Sequence, residues 1–149
     1  MSDRVWRAIS IRQPWAEALV RGVKTVEVRR WAPHPDIVGE KLAIHAGLRY
    51  DRVAPLAVQR VAGGATARLG GIVGVARLVE VIEFTEERWR KLAGEHLNPL
   101  EWWEEGLQGW RFEEARPIEP MVRTPGRLGF WALPDVVRTG VSQAVSGGA

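Results

Sequence analysis

Residues 71 to 84, GIVGVARLVEVIEF, form the longest β-forming run in the chain, with apolar side chains at both even and odd positions. A strand sends alternate side chains to opposite faces, so a run apolar at both parities must be covered on both sides and lie inside a sheet. Gly74 marks a place where such a strand bulges or bends. The other elements have to be arranged around this central strand.

The pattern before it changes period twice. RVWRAISIR, residues 4 to 12, alternates as a strand, with Val5, Ile9 and Ile11 on one face and Trp6, Ala8 and Ser10 on the other. QPWAEALVRG then reads as a short helix over 14 to 21, with Pro14 at its first position and Gly22 as its stop. TVEVRRW supplies a second strand, ended by Pro33 and Pro35, and GEKLAIHAG a third at about 41 to 46. Pro55 opens a helix over about 55 to 62, followed by a loop, GATARLGG, with a mobile tip. After the central strand, Thr85 caps a helix through Ala93, and Asn98, Pro99 and Glu101 open a second that carries Trp102 and Trp103. These two tryptophans cannot both face inward from one helix, whereas Trp6 and Trp131 are expected in the core. GWRFEEARPIEPMV and GRLGFWAL read as closing strands. The pattern predicts an α+β fold: a small closed or nearly closed β-barrel with short flanking helices and a helical insertion before the last strands. Residues 1–135 form one domain, and residues 136–149 are expected to be a frayed tail.

Composition narrows the function classes. There is no cysteine, so thiolate metal sites, disulfides and cysteine nucleophiles are excluded. The three histidines, His34, His45 and His96, form no HxxxH pair, and no metal or other cofactor is expected. No apolar run is long enough to span a bilayer and no secretory signal is present, so a soluble cytoplasmic protein without a membrane partner is expected. Charge is split along the chain: residues 1 to 79 hold 13 Lys and Arg against 6 Asp and Glu, and residues 80 to 119 hold 5 against 11. A basic half suits a polyanion, and arginines beside spare tryptophans, of which the chain has 8, suit stacked bases. GC-rich coding accounts for an arginine bias equally well.

The stretch GVKTVEVRRW, residues 22 to 31, is where chemistry concentrates. In a strand beginning at Thr25, Thr25, Glu27, Arg29 and Trp31 share one face and Val26 and Val28 the other. Lys24 joins Glu27 only if it lies in the turn that Gly22 provides. A solvated edge strand with a structural Glu27–Arg29 pair fits the same pattern. Ser10 reads as a strand residue bonded to backbone, His45 as a packed histidine, and Arg127 as a turn cation.

Gly22-x-Lys24-x-x-Glu27-x-Arg29, preceded by SIRQPWAEALVRG, resembles the signature of the ASCH family, whose fold is a PUA-like β-barrel. The resemblance continues through GEKLAIHAG and GIVGVARL to GW-x-F, RPIEP and GRLGFW, about residues 6 to 133. The family is linked to RNA and modified nucleosides: some members are proposed RNA-binding domains, others act as amidohydrolases on N4-acetylcytidine or as ribonucleases. The resemblance implies a cleft beside the barrel lined by Lys24, Glu27 and Arg29, with Ser10, Gln13 and Trp15 at its rim. Arg12, His45 and Trp110 complete the candidate set for binding RNA or a modified nucleoside, Trp15 or Trp110 by stacking. The amidohydrolase branch places a threonine nucleophile three positions after the lysine, where this chain has Glu27, and a glutamate in the insertion, for which a loose alignment offers Glu95. Binding is therefore expected, the alternatives being a small hydrolase using Lys24 and Glu27 and a protein-interaction module. The sequence leaves the oligomeric state open.

Overall fold

The structure, a computed structural model, describes residues 2–63 and 66–147. Its central strand is β4 (Gly71–Glu83), antiparallel to β3 (Lys41–Tyr50) on one side and to β5 (Gln108–Arg123) on the other. Every residue of β4 from Gly71 to Leu78 is buried, as the two-sided apolar pattern requires. β1 (Arg7–Gln13) runs parallel to β3 and antiparallel to the short β6 (Phe130–Ala132). β2 (Val26–Arg29) pairs antiparallel with β5, giving one six-stranded sheet of order β2-β5-β4-β3-β1-β6.

Two helices cover opposite faces of this sheet. α1 (Trp15–Val20) is buried on all sides, and its Leu19 and Val20 pack with Leu42, Ile44, Val73 and Phe112. The contact is possible because position 74 has no side chain: a Cβ there would lie 2.6 Å from Val20 Cβ and 2.4 Å from the Arg116 carbonyl oxygen. The β4–β5 register also shifts between Ile72 and Gly74, where the sequence places an irregularity. On the other face, Val137 and Val141 of α5 (Asp135–Gly147) pack with Ile72, Val75, Ile118 and Trp131. α2 (Leu56–Val61) buries Val58 against the α1 side. α3 (Glu86–Lys91) is capped by Thr85, whose hydroxyl accepts from Arg88 N–H at 3.1 Å. α4 (Ala93–His96) and a 3-10 turn, Leu100–Trp102, complete the insertion.

Three expectations are corrected. The tail expected to fray is α5: Val137, Val141, Ala144 and Val145 follow helical spacing and face the sheet, a stripe hidden among small polar residues. Gly148 and Ala149 lie outside the described residues, as do Gly64 and Ala65 of the loop expected to be mobile. The sheet is not closed by backbone pairing, so the expected barrel is not formed as a continuous ladder; β2 and β6 are its two edges. Side chains bridge the gap instead. Arg29 donates to the Ser10 carbonyl at 2.8 Å, and Trp31 and Trp110 both pack on Phe130. Trp6, expected in the core, is half exposed with Arg138 over its ring. Trp102 and Trp103 diverge as expected, the first toward Trp15 and the second toward Trp89.

A buried ion network holds α1 to the sheet. Glu17 accepts from Arg68 at 2.8 and 3.1 Å and from Arg21 at 2.7 Å, while Arg68 also donates to the Ile118 and Val73 carbonyls. Removing Arg68 leaves the buried Glu17 with only the more exposed Arg21 and takes the donor from the Ile118 and Val73 carbonyls, a loss of about 2–3 kcal/mol, below that of a buried charge left wholly unpaired. Arg68→Ala is therefore expected to lower unfolding stability by about that amount in urea denaturation; a loss below about 1 kcal/mol, the range of a surface pair, would contradict it.

Candidate functional site

The turn after α1 decides where the lysine points. Gly22 has a φ of +75°, which favours glycine, and the Lys24 amide then donates to the Ala18 carbonyl at 3.0 Å. Lys24 thus lies in the turn, before β2 begins at Val26, and is released from strand alternation. Its ammonium sits 4.7 Å from the centroid of the Trp15 ring, donates to the His96 carbonyl at 2.6 Å, and lies 3.7 Å from Glu27 Oε1. Glu27 Oε2 accepts from Arg29 Nε at 3.2 Å. Only 1% of Lys24 and 7% of Glu27 are exposed, so both belong to the floor of a cavity of about 540 Å³ rather than to a solvated face. Burial lowers the Lys24 pKa from the ordinary 10.5 to about 8; the Glu27 carboxylate opposes this shift and Arg29 adds to it.

Ser10, Arg12 and Trp15 line the same cavity as Lys24, Glu27 and Arg29. Trp15 is nearly buried, its indole N–H donating to Asp51 Oδ2 at 2.8 Å, so it covers Lys24 instead of offering an open face. Four candidates lie elsewhere. Gln13 is fully buried, accepting from the Glu17 amide at 2.9 Å and donating to the Arg68 carbonyl at 3.0 Å; it completes the first turn of α1. Trp110 is also fully buried, donates to the Trp31 carbonyl and supports the Arg29 guanidinium, 5.6 Å above its ring, so no base can stack on it. Glu95 forks onto Arg111 and accepts from Thr25 Oγ1, clasping the insertion to β2 and β5 away from the cavity.

His45 is the fourth. Its Nε2 donates to the Thr124 carbonyl at 2.8 Å, which leaves Nδ1 to accept from the Ser10 hydroxyl at 3.0 Å. This chain ties β1 and β3 to the loop of residues 124–129. The loop packs so closely that a Cβ on Gly126 would lie 2.5 Å from His45 Cε1 and 2.8 Å from Ser10 Oγ.

Sequence reasoning missed the part of the site built by the insertion. Asn98 and Trp102 line the cavity, and the Asn98 side chain donates to the same His96 carbonyl that receives Lys24. A main-chain carbonyl leaves no signature in a sequence, and only the Asn98 turn signal pointed to the region. Leu48, Arg49, Asp51 and Leu128 complete the walls. Among the described residues no cluster of three His, Asp or Glu could hold a metal ion, and no helix is long and apolar enough to cross a membrane.

Residues 9–122 match the ASCH domain model, and the chain belongs to the ASCH domain family. Crystal structures of ASCH from Zymomonas mobilis share the fold. That protein is 18% identical with a TM-score of 0.60 over 98% of this chain and 96% of its own. Its serine-to-alanine mutant is 20% identical with a TM-score of 0.60 over 98% of each chain, and its tyrosine-to-phenylalanine mutant 19% identical with 0.61 over 96% and 97%. No curated protein matches the sequence.

Burial lowers the pKa of both His45 and His96, against the upward pull of the carbonyls of Thr124 and Trp89. The folded state therefore holds these rings neutral at pH values where the unfolded chain has begun to protonate them. Their contribution is fully present above the unfolded value of about 6.5 and is lost as pH falls through the folded values. Thermal melts from pH 7.5 to 5 should show a falling melting temperature, with a shallower fall in His45→Gln; equal slopes in the two proteins would contradict this.

Proposed function

We propose that the protein binds RNA or a modified nucleoside in the cleft above Lys24, Glu27 and Arg29. The observation that carries this reading is the fixed alternation of charge on the cavity floor, with Glu27 held between Lys24 at 3.7 Å and Arg29 at 3.2 Å. A nucleobase edge alternates amines that donate with ring nitrogens and carbonyls that accept. A carboxylate takes an exocyclic amine such as that of cytosine, and a neighbouring ammonium or guanidinium takes the adjacent acceptor. These groups are already packed, so little side-chain freedom is lost on binding. Trp102 is partly exposed at the cavity wall and offers an aromatic surface, and Arg12 and Arg49 supply donors for phosphate at the mouth.

One observation favours a second reading, an amide hydrolase on an acylated base. A lysine with a pKa of about 8 has a substantial neutral fraction near that pH. A neutral Lys24 amine would take a proton from water as the water oxygen bonds to the acyl carbon. That proton would pass to the departing nitrogen as the C–N bond breaks.

Lys24→Met tests the hydrolytic reading and Glu27→Gln the binding one. For a binder, Glu27→Gln keeps size and a hydrogen-bonding group, so cytidine affinity by calorimetry should shift by no more than about 10-fold. The preference for cytidine over uridine should narrow, because an amide both donates and accepts. N4-acetylcytidine should not be turned over by the wild type or by either variant. Clean hydrolysis by the wild type, slowed about 100-fold or more in Lys24→Met, which removes the base, would replace the binding reading with the enzymatic one.

A further inference from the structure

A second cavity of about 890 Å³ adjoins the Lys24 cleft. Ser10, Gly47, Leu48, Arg49 and Leu128 line both, so these residues form the wall between them. The wall is topped by two apolar side chains facing solvent, Leu48 at 80% exposure and Leu128 at 98%. Beyond it, the second cavity carries Arg49, Arg123 and Arg127 and no carboxylate. Most arginines elsewhere in the protein are neutralised: Arg7, Arg21, Arg30, Arg68, Arg77 and Arg111 each meet an acidic side chain. Among the described residues, Arg12, Arg49, Arg123 and Arg127 make no such pair and are exposed, as are Arg4, Arg52, Arg60 and Arg88 elsewhere on the surface. What distinguishes the second cavity is that three of these guanidinium groups line one concave surface free of carboxylates.

The floor of the second cavity is fixed. His45, held by Ser10 and Thr124, packs directly under Gly126, so the segment bearing Arg127 and Leu128 is anchored to β1 and β3. Apolar surface from Leu48, Pro125 and Leu128 between unpaired guanidinium groups matches a strand of nucleic acid. Such a strand presents sugar and base faces to the apolar part and one phosphate per residue to the cations. A free nucleoside fills only the first cavity and leaves the arginines unused.

We propose that the second cavity is the subsite for the neighbouring nucleotide. The ligand is then a single-stranded oligonucleotide whose phosphodiester crosses the Leu48–Leu128 wall beside Arg49, with the next phosphate toward Arg123 and Arg127. This inference rests on the cleft reading given above, and the experiment separates the failure of each. Fluorescence anisotropy with fluorescein-labelled tetracytidylate and calorimetry with cytidine are carried out on the wild type and on Arg123→Ala/Arg127→Ala. Both substitutions are on exposed side chains, and a thermal melt checks that the fold is kept. The expected result is tetracytidylate at least about 10-fold tighter than cytidine, with the gain lost in the double variant and cytidine binding unchanged. The salt dependence of log K should also flatten by about 1.4, for two phosphate contacts removed from a single strand. Cytidine binding as tightly as tetracytidylate overturns the second subsite and leaves the cleft reading standing. Tetracytidylate binding without any cytidine binding overturns the cleft reading and the paired subsites with it. Displacement by polyglutamate as effective as by unlabelled tetracytidylate overturns the proposal in favour of an acidic protein partner.

Discussion

The buried ammonium of Lys24 is the constraint on which the site depends. Three separate parts of the chain meet on it: Trp15 of α1 above, Glu27 of β2 beside it, and the His96 carbonyl of the insertion as its acceptor. A pKa lowered from 10.5 to about 8 corresponds to a cost on the order of 3 kcal/mol for keeping that charge in the fold below pH 8. Proteins rarely retain a lysine at such a cost for packing alone, and an apolar side chain of similar volume, such as methionine, would fill the space without it. On the proposed reading, the charge serves a ligand that enters the cavity and uses its remaining hydrogen-bonding capacity.

The core was legible in the sequence because its signals are periodic. β4 announces its central place through apolar residues at both parities, and α1 through the change from period 2 to helical spacing between Gln13 and Gly22. Lys24, Glu27 and Arg29 were legible because a glycine turn and a short strand fix their directions. What the sequence hid is what distant segments supply. The environment of Trp110 is set by Trp31 and Phe130 across the open edge of the sheet, and nothing local distinguishes a covered tryptophan from an exposed one. Gln13 looks like a polar rim residue until Arg68, far along the chain, closes over it. The α5 stripe was masked by glycines and serines that lower the average hydropathy without breaking the four-residue spacing of its valines.

The open sheet also has a functional side. A ladder closed between β2 and the part of β1 beyond Ile9, where its pairing with β6 ends, would place backbone hydrogen bonds where the Arg29 guanidinium now reaches the Ser10 carbonyl. Bridging by a side chain brings Arg29 to the cavity that Ser10 also lines, and Ser10 in turn connects through His45 to the loop of Arg127 and Leu128. The same few residues thus join the two sheet edges, the cleft and the arginine-lined cavity beside it. The acidic insertion contributes a carbonyl, Asn98 and Trp102 to one wall, with Glu95 turned away onto Arg111.

The most direct measurement is the ionisation of Lys24 itself, followed by heteronuclear NMR of its side-chain Cε and Nζ from pH 6 to 11 with and without cytidine. A midpoint near 8 is expected for Lys24, with a change of that midpoint when cytidine fills the cavity. A midpoint near 10.5, indifferent to the nucleoside, would mean that the ammonium is solvated and that the cleft is not organised around it.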